Sequence, residues 1–201
     1  MTIAFALGSY LLGAVPSGYL LYRLRARGDI RSQGSGNTGA TNVLRLQGWK
    51  AALPVALFDV LKGALPPFLA LRLFQDEKLA LASAFLAVLG HCYPAYIGFR
   101  GGKGVATTIG ALLVLGWWQP LAAALAVFLA TLAATRFVSL GSVLAALSLP
   151  ASAAIFGRGR AFLAWGLAVA VLIAVRHRKN IGLLLRGRER KLGRREEARP
   201  A

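Results

Sequence analysis

The segment IAFALGSYLLGAVPSGYLLY, residues 3–22, runs for 20 residues without a charged side chain. A helix of about 20 apolar residues crosses the ~30 Å hydrocarbon core of a bilayer with its backbone hydrogen bonds satisfied internally. Similar apolar runs recur along the chain, which is 57% hydrophobic and has a mean hydropathy of +0.60. The composition therefore predicts an all-α integral membrane protein rather than a soluble domain.

Seven apolar runs alternate with short polar breaks, which predicts seven transmembrane helices in a single domain over residues 1–201. We take the first run as a span rather than a signal peptide because no basic segment precedes it. Pro16 is expected to kink that helix or to free backbone groups that neighbouring spans must satisfy. The runs cover about 3–22, 51–74, 79–97, 105–118, 121–135, 140–156 and 161–175, and a polar, basic tail covers about 177–201.

The basic residues are distributed unequally between the two sides of these spans. Nineteen Lys or Arg residues fall on one side and four on the other, with Lys62 inside a span. Because positive charge is retained in the cytoplasm, this predicts an outside N-terminus and a cytoplasmic C-terminus. Topology thus accounts for the net charge of +17, and the absence of interleaved aromatic residues argues against nucleic acid as a partner.

A polar loop with the sequence GSGNTGATNVLR, residues 34–45, follows the first run. Its glycines permit tight turns and close approach of backbone N–H groups to a ligand, and Arg45 adds a fork-shaped cation. Such a set suits a phosphate. A flexible linker is the alternative, but it would need neither the asparagines nor the arginine. The candidate ligand contacts are Ser35, Gly36, Asn37, Thr41, Asn42 and Arg45.

Three further polar segments are predicted on the same cytoplasmic side, so all four can converge. In FRGGKG, residues 99–104, the spacing and the absence of Ser or Thr after the lysine exclude a nucleotide P-loop. Lys103 is then either a cation for a substrate phosphate or a topology anchor. Ser142 follows the fifth run. His177 lies between cations that disfavour its protonation, and it either contacts the ligand or is structural.

Asp59 and Lys62 lie three residues apart in an apolar helix, where charged groups are costly and face the bundle interior. They are expected to pair, and we favour a structural ion pair over direct chemistry. His91 is interpreted as structural. Because Cys92 is the only cysteine and no histidine has a second ligand at metal-binding spacing, we expect no metal and no cofactor.

Two common catalytic patterns are absent from the sequence. There is no histidine-x4-aspartate pair of the kind found in many glycerolipid acyltransferases, and no glycine-x-serine-x-glycine elbow. Carboxylates are also scarce in the four polar segments. If the protein is an enzyme, its reaction must therefore require little acid–base chemistry from side chains.

Taken together, six motifs in this order resemble the acyl-phosphate:glycerol-3-phosphate acyltransferase family of bacteria, the PlsY type. The resemblance covers nearly the whole chain. The motifs are residues 34–45, Asp59–Gly63, Gly90–His91 with Pro94, Phe99–Thr107, Ser139–Ser142, and His177–Ile181 with Gly187 and Glu189.

The resemblance implies a seven-span enzyme of the bacterial inner membrane that transfers an acyl group from acyl phosphate to the 1-hydroxyl of glycerol 3-phosphate. The products would be lysophosphatidate and phosphate, and membrane lipids would be the other partners. Catalytic roles are then expected for Ser35, Lys103, His177 and Asn180, and substrate contacts for Gly36, Asn37, Thr41, Asn42, Arg45 and Ser142.

Two points stay open at this stage. Either His177 or the substrate's own phosphate, which titrates near pH 6, could accept the hydroxyl proton. A phosphate or organophosphate transporter is the alternative function, although transporters usually show internal repeats and a site at the membrane midplane, neither of which we find. A lipid-binding scaffold would explain the basic tail but not the glycine-rich loops.

Overall fold

The computed structural model describes residues 2–193, and all regular secondary structure in that range is helical. Within it, six helical stretches are long and apolar enough to cross a membrane. The α-helices are α1 (Thr2–Gly13), α2 (Ser17–Ala26), α3 (Ala40–Gln47), α4 (Trp49–Leu69), α5 (Glu77–Cys92), α6 (Val105–Val114), α7 (Trp118–Thr135), α8 (Val138–Ile155), α9 (Gly159–Arg176) and α10 (Arg178–Leu185), with 3₁₀ turns at Ile30–Ser32 and Ala95–Ile97 and a π-helical turn at Ala70–Phe74. The end of the predicted tail, residues 194–201, lies outside the described residues.

The predicted fourth span is much shorter as a helix than its apolar run. Helix α6 has 10 residues, which at 1.5 Å per residue is about 15 Å, or half the hydrocarbon core. It packs closely on α4, because Gly63 lies against the Thr107 carbonyl and Gly110 against the Val60 carbonyl, where no Cβ would fit. Among residues 2–193, six helical stretches have spanning length, and a seventh crossing remains a prediction.

The first span is broken between α1 and α2, as Pro16 led us to expect. The Lys62 ammonium of α4 donates to the Val15 carbonyl at 2.8 Å and pairs with Asp59 at 2.7 Å. The same carbonyl accepts the Ser17 N–H at 3.1 Å. The Ser17 hydroxyl donates to the Asp59 carboxylate at 2.7 Å. The predicted pairing of Asp59 with Lys62 is therefore confirmed, and the pair also satisfies the broken backbone, which makes its burial tolerable.

Apolar side chains separate into an interior set and an outward set. Inside, Trp117 makes edge contacts with Phe162 and Trp165, with ring centroids 4.5 and 5.4 Å apart. Helix α4 packs on α5 and α6, while α8 packs between α7 and α9. Large side chains on α1 and α4 point outward, as expected for residues that face lipid. They include Ile3, Leu7, Leu11, Leu53, Leu57, Leu61, Leu65 and Phe68.

Candidate active site

The four polar segments surround one cavity of about 370 Å³ at one end of the bundle. Helix α3 and the loop before it form one wall, and the loop before α6 forms a second. The start of α8 and the α9–α10 junction close the other sides. Eight of the predicted site residues line this cavity: Ser35, Asn37, Thr41, Asn42, Arg45, Lys103, His177 and Asn180.

Two asparagines give the glycine-rich loop its shape. Buried Asn42 accepts a hydrogen bond from the Ser35 N–H at 2.9 Å and donates to the Gln33 and Asn37 carbonyls at 3.1 and 2.9 Å. Asn37 in turn accepts from the Gly39 N–H at 2.8 Å. These bonds explain why the segment is not a flexible linker. They also occupy both ends of the Asn42 amide, so its predicted contact with substrate remains a prediction.

A chain of hydrogen bonds holds the Lys103 side chain. Its ammonium donates to Asn180 Oδ1 at 2.7 Å, and Asn180 Nδ2 donates to Glu189 Oε1 at 2.8 Å. The Ser139 hydroxyl donates to the same carboxylate oxygen at 2.8 Å. Lys103 is thereby connected to α10, to α8 and to the segment after α10. Because charge-assisted hydrogen bonds are among the strongest in proteins, the ammonium has a defined position.

Burial lowers the pKa of Lys103 to about 8, with Glu189 acting in the opposite direction and the cations Arg45 and Arg176 adding to the decrease. The group is still largely protonated at neutral pH. Arg45 and Lys103 thus both line the cavity as cations. The Asp59 and Glu189 carboxylates line it too, but Asp59 pairs with Lys62 and Glu189 accepts from Ser139 and Asn180. A ligand would therefore meet two cations beside carboxylates that already have partners, which favours an anion.

His177 lies at the junction of α9 and α10 and is 2% exposed. Its Nδ1 is 2.8 Å from the Ile173 carbonyl oxygen. A carbonyl can only accept, so the neutral ring carries its proton on Nδ1 and leaves Nε2 with a lone pair. Burial, together with the Lys103 and Arg176 cations, lowers the pKa of His177 to about 4. The predicted neutral imidazole is confirmed, although burial contributes more than the flanking charges.

Two predicted substrate contacts do not line the main cavity. The Ser142 hydroxyl donates to the Val138 carbonyl one helical turn earlier, at 2.8 Å. Gly36 has a φ of 68° and forms a turn in which its N–H donates to the Gln33 carbonyl at 2.9 Å. Gly36 thus shapes the loop and Ser142 lies outside the main cavity, and their contacts with substrate remain predictions.

Ser142 lines a smaller cleft of about 50 Å³ between α6, α7, α8 and α9. Val105, Ile109 and Phe128 line both this cleft and the main cavity. The cleft is otherwise apolar, because the hydroxyls of Thr108 and Ser142 both donate to carbonyls one turn back. A cavity with Arg45 and Lys103 on its wall beside an apolar cleft suits a ligand with an anionic head and a hydrocarbon chain.

The cavity also contains residues that our sequence predictions did not place there: Asp59, His91, Phe128, Ser139 and Glu189. The Glu189 carboxylate contacts Asn180 and Ser139. One signal could have identified it, since Glu189 is the one acidic residue in the strongly basic stretch RGRERK, residues 186–191, which suggests a specific partner. Among residues 2–193, no group of three or more His, Cys, Asp or Glu side chains is arranged to hold a metal ion.

Comparison with known proteins identifies the relatives of this chain. Residues 3–187 match the family described as glycerol-3-phosphate acyltransferase. The chain is 46% identical to the glycerol-3-phosphate acyltransferase of Jannaschia sp. strain CCS1, over 94% of this chain and 91% of that protein. It is 45% identical to the enzyme of the same name from Halalkalibacterium halodurans, over 95% of each chain.

Two solved structures share the fold. One is the crystal structure of PlsY (YgiH), an integral membrane glycerol 3-phosphate acyltransferase, in its glycerol 3-phosphate form, with a TM-score of 0.89 and 36% identity over 96% of each chain. The other is its lysophosphatidic acid form, with a TM-score of 0.85 and 35% identity over 96% of this chain and 95% of that chain. This likeness extends over the helices that carry the cavity. The chain described here therefore belongs to the glycerol-3-phosphate acyltransferase family.

Proposed function

We propose that this enzyme transfers a fatty acyl group from an acyl phosphate to the 1-hydroxyl of glycerol 3-phosphate, giving lysophosphatidate and inorganic phosphate. The observation that carries the proposal is the cationic cavity that shares Val105, Ile109 and Phe128 with an apolar cleft. Both proposed substrates carry phosphate, and the donor also carries a hydrocarbon chain. The glycerol 3-phosphate and lysophosphatidic acid forms of the similar PlsY structure support the acceptor and the product.

In the proposed reaction, the 1-hydroxyl oxygen attacks the carbonyl carbon of the acyl phosphate. A new ester C–O bond forms, the bond between the carbonyl carbon and the phosphate oxygen breaks, and phosphate leaves. An acyl phosphate is a mixed anhydride with a good leaving group, so the protein contributes mainly position and charge. Arg45 and Lys103 would neutralise phosphate, and Ser35, Thr41 and Asn180 would orient the reactants in the cavity.

The hydroxyl proton must be accepted during this attack, and we propose that the phosphate of glycerol 3-phosphate accepts it. A phosphate monoester titrates near pH 6, whereas the pKa of His177 is lowered to about 4 in the free enzyme. A general base is most effective when its pKa lies near the working pH, which favours the phosphate. His177 would then orient the acceptor through its lone pair rather than remove the proton.

We also propose the topology and the location of the protein. It forms one transmembrane domain over residues 1–201 with the N-terminus outside and the C-terminus in the cytoplasm of a bacterial inner membrane. Seven crossings are required if the cavity segments share the cytoplasmic side, because α6 must then connect the cavity end of the bundle with the start of α7. Nineteen basic residues against four support this orientation.

The function can be tested with purified protein in detergent. Acyl phosphate, glycerol 3-phosphate or both are supplied, and lysophosphatidate is measured by mass spectrometry together with released phosphate. We expect both products only when both substrates are present. Acyl-CoA serves as the alternative donor, and lysophosphatidate formed from acyl-CoA but not from acyl phosphate would contradict the donor. Protein that forms no lysophosphatidate in detergent, but moves phosphate across the membrane after reconstitution into vesicles, would instead indicate a transporter.

Arg45→Lys is expected to raise KM for glycerol 3-phosphate by about tenfold and to change kcat little, because an ammonium cannot reproduce the two-pronged contact of a guanidinium with phosphate. Steady-state kinetics at varied glycerol 3-phosphate concentration would measure both parameters. Arg27→Lys, in an exposed position before the loop, is the matched control. Wild-type KM in Arg45→Lys would remove Arg45 from the phosphate site.

The pH dependence should follow the Lys103 ammonium. Because the pKa of Lys103 is lowered to about 8, the group is a cation below that pH and loses its charge above it. We therefore expect kcat/KM for glycerol 3-phosphate to fall as pH rises through about 8, since this parameter reports ionisations of the free enzyme. In Lys103→Arg the charge persists, and this fall should disappear. A fall that persists unchanged in Lys103→Arg would assign it to another group.

A further inference from the structure

Arg176, the last residue of α9, does not line the cavity, yet it holds the loop that carries Lys103. Its Nε donates to the Gly102 carbonyl at 3.0 Å, and its Nη2 donates to the Gly101 carbonyl at 2.8 Å. The guanidinium also stacks over the Tyr93 ring, 4.8 Å from the centroid. One planar side chain thus fixes two successive peptide groups. A lysine at this position could not reproduce the fork.

His91 contacts the same loop from α5. Its carbonyl accepts the Gly102 N–H at 3.0 Å. A Cβ at Gly102 would overlap the His91 ring, and a Cβ at Gly101 would overlap the His91 carbonyl, so these two positions require glycine. The His91 ring is itself held, because its Nδ1 lies 3.5 Å from the Asp59 carboxylate that is paired with Lys62. The two glycines are therefore confined between α5 and Arg176.

Lys103 follows these glycines directly. Glycine backbones have many accessible conformations, so the two residues cannot by themselves direct the next side chain. The contacts from His91 and Arg176 supply the missing restriction. Arg176 also precedes His177, which lines the cavity. The same guanidinium therefore determines how far the Lys103 loop lies from the imidazole.

We infer that Arg176 is a positioning residue for substrate phosphate binding: its guanidinium holds the Gly101 and Gly102 carbonyls in the arrangement that directs the Lys103 ammonium into the cavity. The inference rests on the proposed function for the phosphate that Lys103 would bind. The hydrogen bonds from Arg176 to the Gly101 and Gly102 carbonyls do not depend on the identity of the substrates. Arg176 acts through Lys103 and does not contact the reactants.

The first test compares Arg176→Lys and Arg176→Gln with the wild type and with Arg186→Gln, an exposed arginine at the end of α10. Both Arg176 variants should raise KM for glycerol 3-phosphate by about tenfold, the effect of losing a charge-assisted hydrogen bond, while kcat falls by less than about threefold. Arg176→Lys keeps the positive charge, so a raised KM in this variant measures the loss of the two-pronged hydrogen bonding of the guanidinium. Arg186→Gln should match the wild type. If Arg176→Gln does not fold, the KM of Arg176→Lys alone tests the inference.

The second test does not depend on turnover. The rate of acetic anhydride labelling at Lys103 is measured as a function of pH by peptide mass spectrometry. The charged or titratable groups that act on Lys103 are Glu189, Arg45, Arg176 and His177. Removing the Arg176 cation and loosening the buried loop both favour the protonated amine. The labelling profile of Arg176→Gln should therefore move to higher pH. That of Arg176→Lys, which keeps the cation, should also move, through the loosened loop alone, and that of Arg186→Gln should not move.

When the wild-type protein is active, the inference requires both the raised KM for glycerol 3-phosphate and the shifted labelling profile of Lys103. A wild-type KM in both Arg176 variants would overturn the inference. A raised KM with an unmoved labelling profile in Arg176→Lys would also overturn it, because Arg176 would then contact the substrate itself. If the wild type does not use acyl phosphate and glycerol 3-phosphate, the proposed function fails and the labelling profile alone decides. An unmoved labelling profile in Arg176→Lys would then overturn the positioning role of Arg176, and a moved one would support it.

Discussion

Lys103→Met is expected to lower kcat/KM for glycerol 3-phosphate by about 10²–10³-fold, the usual effect of removing one preorganised charged donor from an active site. The substitution keeps the length and apolar volume of the side chain and removes the ammonium that donates to Asn180 at 2.7 Å. Activity is measured at saturating acyl phosphate with varied acceptor. Lys103→Glu should be at least as damaging, because it places a negative charge against the substrate phosphate.

Lys50→Met is the matched control, since Lys50 is an exposed lysine at the start of α4. It should retain wild-type kinetics. Thermal unfolding in detergent checks that the Lys103 variants remain folded. Near wild-type activity in a folded Lys103→Met protein would mean that Lys103 is only a topology charge, which was the alternative interpretation of the sequence.

His177→Gln is expected to raise KM for glycerol 3-phosphate more than it lowers kcat. If His177 removed the hydroxyl proton, the variant would instead lose about 10²–10⁴ in kcat, as is typical when a general base is removed. His177→Asn is the closer control, because its amide nitrogen can keep the hydrogen bond that the ring Nδ1 makes to the Ile173 carbonyl. It should retain more activity than His177→Gln.

The two proton acceptors can also be separated through the substrate. A phosphonate analogue of glycerol 3-phosphate has a higher second pKa than the phosphate ester. If the acceptor's own phosphate takes the proton, the acid limb of the pH–rate profile should move upward with the analogue. An unmoved profile together with a collapsed kcat in His177→Gln would return the role of base to His177.

Much of the fold follows from local sequence patterns. The hydrophobic runs predict helices, and Pro16 predicted the break between α1 and α2, because both effects act within one segment of chain. The length of α6 was not predictable in this way. Its apolar run continues to Trp118, but helix α6 ends at Val114. Gly116, with a φ of 70°, follows the end of the helix, and a glycine at that position is a helix C-terminus signal that the hydrophobic run alone does not contain.

The candidate active site was also predictable only in part from local sequence. Arg45, Lys103 and His177 could be chosen from the sequence because they lie in polar segments predicted on one side of the membrane and in motifs that resemble an acyltransferase family. Ser142 was chosen on the same ground; its hydroxyl bonds to its own helix, and its contact with substrate remains a prediction. Glu189 was omitted, although it holds Asn180. Which polar residues satisfy one another can be read only from contacts between distant segments.

By itself, then, the sequence determined the membrane character, the polar segments that can share one side and the types of group available for binding phosphate. These depend on transfer free energies and on residue chemistry, which belong to each segment alone. Only the tertiary structure decided that Arg176 and His91 confine the glycines before Lys103 and that an apolar cleft adjoins the cationic cavity. Both features arise where segments distant in sequence meet, because close packing of separate helices fixes distances that residue order leaves free.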